Sequence, residues 1–192
     1  MKKITKTLLC LSSVCLLAGC AREVTADEAK AAVKKAYERT PDISTVYTGV
    51  KLTTRVETLQ GTGTFGEAMK ASVEKMYGVE GTENSVELTF TTSANEIASY
   101  RVDVDAIDYI LSEIEGQNDS YVKFYLDGDA LSIKSSIAES RSTGTTTLTM
   151  YTDVEYKINA DMTLADMSTH IYINSESDTF DLKTSISVEW KK

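Results

Sequence analysis

Past its twentieth residue this chain of 192 residues has no cysteine, since Cys10, Cys15 and Cys20 are all it contains. Residues 21–192 therefore offer no disulfide, thiolate metal site or sulfur nucleophile, and a packed core alone must hold them together. Proline occurs once, at Pro41, which argues against a Pro-rich spacer. Histidine also occurs once, at His170, too few to build the His-rich ligation of a zinc enzyme. No G-x-S-x-G elbow exists to give that histidine a nucleophile, and by strand parity it falls on a polar face, so a plain surface histidine is expected. Basic residues are outnumbered, 20 Lys and Arg against 29 Asp and Glu, for a formal charge of −9. Such a surface repels phosphate backbones and excludes counterion-driven binding of nucleic acid. A membrane-spanning run is missing as well. The apolar stretch from Thr7 to Gly19 is broken by Ser12 and Ser13, and falls short of the ~20 residues that cross a bilayer.

What stands at the start instead is a basic segment (Lys2, Lys3, Lys6), a short apolar core and a small-residue ending, the three parts of a secretory signal. That ending, Leu17-Ala18-Gly19-Cys20, resembles the lipobox of bacterial lipoproteins at all four positions. The resemblance implies cleavage before Cys20 and a thioether link from Cys20 to diacylglycerol. Two acyl chains suffice for stable anchoring. Residues 1–19 are then a signal peptide, 20–24 a lipidated tether and 25–192 a single domain. The protein is expected at a cell membrane, on its extracytoplasmic face, at the cell surface or in the periplasm. Three lysines and no acids leave with the signal, so 17 basic residues face 29 acidic ones in the remaining 173, a net charge of −12. With that balance lipid, not charge, is the expected membrane attachment.

Thr25-Ala26-Asp27-Glu28 reads as a capping box. Ala29, Ala32, Val33, Ala36 and Tyr37 then follow at helical spacing until Pro41. From there the period becomes two: Val46, Val50, Leu52 and Val56 predict a strand over 46–59. Residues 67–77 fit either period, and the strand neighbours favour a strand, with Gly78 and Gly81 closing a hairpin. Alternation predicts further strands around Val86, Leu88 and Phe90, and across Ala98, Tyr100, Val102 and Val104. Ile107, Ile110, Leu111 and Ile114 predict a short mid-chain helix. The remainder alternates almost without break, with a hairpin at Asp127-Gly128 and turns at 159–161 and 174–177. The expected fold is mainly β, of the α+β class. It is a long-stranded, curved antiparallel sheet or open half-barrel, covered by an N-terminal helix and a short mid-chain helix.

This pattern, through the capped helix 25–39, the strand 46–59 and the hairpin 121–139, resembles the architecture of the LolA/LolB and LppX/LprG-type lipoproteins. That resemblance implies an open half-barrel which holds acyl chains or other apolar ligands, or else a structural or regulatory surface lipoprotein. No binding residue carries over from it.

Among chemistry-bearing residues, Asp103, Asp105 and Asp108 lack the glycine and final glutamate of a calcium loop. A helix cap at Asp103 or Asp105 is the better reading. Met69, Phe90, Phe124, Met150, Phe180 and Trp190 are the candidate lining of an apolar cavity, because methionine adapts to varied ligands. An ordinary core is the competing reading for the same residues. No catalytic residue, metal or cofactor is expected. The expected function is a non-enzymatic binding module for a lipid-like ligand; the alternative is an interaction lipoprotein with a solid core, whose partner is an envelope protein.

Overall fold

A computed structural model describes residues 21–78, 97–117, 119–143 and 146–192. Cys20, the preceding Leu17, Ala18 and Gly19, and Phe90 with its expected strand lie outside the described residues. The chain enters through β1 (Arg22–Val24) and turns at once into α1 (Ala26–Arg39). The expected capping box is there: the Thr25 hydroxyl accepts from the Glu28 amide while Glu28 takes the Thr25 amide at 2.9 Å. Ala29, Val33 and Ala36 face inward on one stripe.

A 3₁₀ turn at Ile43–Thr45 delays the next strand, so β2 runs Gly49–Thr62 and not over 46–59. A bulge between Val56 and Thr58 changes its phase, so Val50, Val56 and Leu59 are all buried despite unequal parity. Residues 67–77, expected as a strand, are helical and belong to α2 (Gly63–Tyr77). Met69, Val73 and Tyr77 recur every fourth residue on the side packed against the sheet. Gly78 does not close a hairpin; at φ 64° it is the left-handed C-cap of α2, and Gly81 lies outside the described residues.

The strand expected across 98–104 is also absent. A 3₁₀ turn covers Ala98–Tyr100, Arg101 makes a single bridge to Thr163, and α3 (Val104–Glu113) begins, with Asp103 capping it through the Ala106 amide at 2.8 Å. The competing demand is the Arg101 side chain. Arg101 is only 7 % exposed, and its guanidinium donates to the carbonyls of Thr40 (2.7 Å), Ala36 (3.3 Å) and Asp161 (2.9 Å), and lies 3.7 Å over the Tyr37 ring. The carbonyls of Ala36 and Thr40 end α1, so a cation there both satisfies them and suits the helix dipole, while the bond to Asp161 ties in the β5–β6 turn.

β3 (Tyr121–Asp127), β4 (Ala130–Thr143), β5 (Thr146–Ile158), β6 (Leu164–Asn174) and β7 (Thr179–Lys191) follow as a meander. The sheet is open, seven-stranded and antiparallel, in the order β1-β3-β4-β5-β6-β7-β2. Among the described residues three helices pack on one face, where two were expected. They divide the core. α1 and α3 cover a cluster at one end built from Phe124, Leu131, Ile133, Ile158 and Met162. α2 covers a second at the other end, built from Val56, Leu59, Ile173, Phe180 and Leu182. Between them the register lines up Ser135, Val154, Thr169 and Thr184 across four strands, a seam of mostly small polar residues.

Candidate functional site

The start of α2 is set by close backbone approach. A side chain at Gly66 would put its Cβ 2.0 Å from the Thr179 carbonyl oxygen, and one at Gly61 would meet the Gly66 carbonyl at 2.1 Å. The Gly-Thr-Gly-Thr-Phe-Gly run therefore lets the helix sit directly on the β2–β7 pair. Asp178, in the β6–β7 turn, accepts the Phe65 amide at 2.8 Å, serving a helix end that lacks a side-chain cap of its own. The carboxyl of Asp178 is held below its ordinary range by the Ser177 hydroxyl first and then by that amide.

This docking leaves a cleft of about 240 Å³ between α2 and the sheet, lined by Phe65, Glu139, Arg141, Leu148, Met150 and Ile173. Its floor joins the second core cluster, with Phe180 buried and Met69 packed beside it. Phe65 stays 39 % exposed at the mouth. On the rim Arg141 Nη2 lies 3.5 Å from Glu139 Oε2, an exposed pair that opens at little cost. The cleft can take a small apolar group and present one charge of either sign to whatever follows it.

Of the six expected cavity residues, Met150 lines this cleft, while Met69 and Phe180 lie in the core cluster that it adjoins. Phe124 sits in the other cluster, and Trp190 packs on Tyr47 with ring centroids 5.0 Å apart, its indole N–H donating to the Leu164 carbonyl at 2.7 Å. Phe65 and the Glu139–Arg141 pair were not expected. A signal for the pair does exist: on the parity of Ile133 and Ile137 the next two residues are Glu139 and Arg141, so the inner face turns polar there.

His170 lies on the face opposite the described helices, in the row Asp153-His170-Lys183. Its Nε2 is 3.1 Å from Asp181 and its Nδ1 3.8 Å from Asp153. Around it a polar hollow of about 330 Å³ also takes in Glu57, Tyr121 and Lys134. Among the described residues no serine or threonine hydroxyl bonds to this histidine. Asp103 is spent on its cap, and Asp108 pairs with Lys30. Among the described residues no group of three or more His, Cys, Asp or Glu is placed to hold a metal, and no helix is long and apolar enough to cross a membrane. The chain matches no protein-family model, no curated protein and no solved structure.

Proposed function

We propose that the protein is an exported, lipid-anchored binding module without catalytic activity, and that the cleft under α2 takes an apolar or amphipathic ligand. The observation that carries this reading is the cleft's lining: Phe65, Leu148, Met150 and Ile173 meet in a space open to solvent, beside a rim that bears charge. Soft and aromatic side chains accept varied apolar shapes. The anchor rests on the Leu17-Ala18-Gly19-Cys20 motif, and the resemblance to the LolA/LolB and LppX/LprG-type lipoproteins is one of sheet architecture alone.

Size favours a second reading within the same cleft. Sites for whole small molecules usually run from about 300 to 1,000 Å³. At about 240 Å³ this one fits the end of an acyl chain, or a single apolar side chain from an envelope protein. Native mass spectrometry of a Cys20→Ser form separates the two. A lipid-sized adduct that is removed by organic extraction, and lost in Met150→Lys, supports the ligand. A clean mass that survives incubation with added lipids rejects it in favour of the protein partner.

A further inference from the structure

We infer that the sheet end carrying the β3–β4 hairpin lies against the headgroup layer of the bilayer, so that the α2 cleft points away from the membrane. This rests on the anchoring reading above. Only Ala21 separates Cys20 from Arg22, and Arg22 is already in register with Leu126 of β3. Consecutive Cα atoms are about 3.8 Å apart, so the acylated residue stays within ~8 Å of the sheet edge. No spacer lets the domain turn over.

The register then fixes which groups share that end. Leu126 leads to the hairpin tip at Gly128-Asp129, and Leu131 of β4 pairs with Ile158 of β5. The turn 159–163 therefore follows there, while Lys191 of β7 pairs with Gly49 of β2. Lys35, Arg39, Lys191 and Lys192 are exposed at this end. Lys35 and Arg39 both hold Asp129, at 3.4 and 2.8 Å, so that acid does not stand alone against anionic headgroups. Val46 is 39 % exposed beside the Tyr47–Trp190 pair, an apolar and aromatic group of the kind that suits the bilayer interface.

The cleft lies elsewhere. Met150 pairs with Glu139, eight residues up β4 from Leu131, which at about 3.3 Å per residue is ~26 Å from the membrane end. Whatever enters the cleft comes from the side away from the bilayer that holds the anchor, which implies delivery by a carrier or a facing partner rather than by lateral entry from that leaflet.

Trp190 is the sole tryptophan and sits at the inferred contact, so it reports directly. The full chain is expressed with its own first 20 residues and reconstituted into phosphatidylglycerol/phosphatidylethanolamine vesicles. A fraction of the lipid carries a headgroup nitroxide. Flotation with the vesicles and loss of most Trp190 emission are expected. In the Trp190→Phe, Thr147→Trp double variant, emission at position 147 should be spared, since Thr147 pairs with Ser142 far up β4. Protein that floats with Trp190 unquenched, or with position 147 quenched as strongly, overturns the orientation and leaves the anchor standing. Protein that does not float removes the anchoring reading and this inference with it.

Discussion

Asp161 and Tyr47 form a part-buried polar pair at the hairpin end. The Tyr47 hydroxyl donates to Asp161 Oδ2 at 2.8 Å, and the other oxygen accepts the Thr163 hydroxyl at 2.7 Å and its amide at 3.1 Å. Burial pushes the Asp161 carboxyl up, but the bonds from Thr163 and Tyr47 outweigh it and leave the group below its ordinary range. Burial and then Asp161 push the Tyr47 hydroxyl up to about 12. The two shifts limit stability at opposite ends of the pH scale. The Asp161 contribution is complete above about pH 4, the unfolded value, and is lost as pH falls through the lower folded value. The Tyr47 contribution is complete below about pH 10 and is lost as pH rises toward 12, because the unfolded chain gives up the phenolic proton first. Melting temperature followed from pH 2 to 11 should therefore fall at both ends. Asp161→Asn should make the acid limb shallower and, because burial is the first cause at Tyr47, reduce the alkaline limb only in part; a variant with unchanged slopes would show that the pair does not couple folding to protons.

At the level of elements, α2 shows two distinct reasons for glycine, one at its junction with β2 and one at its far end. At Gly66 a side chain has no room, whereas at Gly78 nothing lies within 4 Å and only the positive φ resists one. Gly66→Ala should cost about 2–3 kcal/mol by overpacking, and Gly78→Ala about 1 kcal/mol from the left-handed backbone. Urea unfolding of the two variants checks the order, and equal costs would count against the close approach at Thr179. This junction is also where reading by periodicity fails. Met69 and Val73 fit a period of two as well as of four, and the decision falls to Gly78 as a C-cap, to Gly66 and to a carboxylate 113 residues away from Phe65. In α1, by contrast, the cap and the stripe are both local, and the helix is legible from residues 25–39 alone. The second half is legible for a similar reason, since each strand keeps one wet face. Arg101 breaks an alternating run because its carbonyl partners come from α1 and the β5–β6 turn, which no local pattern announces. The cleft was legible only in Met150, named by residue type; strand register brings Arg141 to it, and the docking of α2 brings Phe65.

Across the whole molecule, the core is two clusters on one sheet rather than a single mass. In the seam of Ser135, Val154, Thr169 and Thr184 only Val154 is apolar, while β5 and β6 supply residues to both clusters. Val33 belongs to the α1–α3 cluster and Val73 to the α2 cluster. Val33→Ala and Val73→Ala should each cost about 1–3 kcal/mol, and the double variant should match their sum within about 0.5 kcal/mol. A larger coupling, measured by denaturant unfolding of the four proteins, would mean that the clusters pack as one.

β1 has a mechanical consequence. It is three residues long, antiparallel to β3, and is the first described element after residue 20. A pull through residue 20 along the strand axis is therefore applied in shear: the rungs at Arg22, Glu23 and Val24 bear it together instead of opening one after another. The short strand acts as a lap joint, and the load passes through β3 into the sheet before α1 is strained.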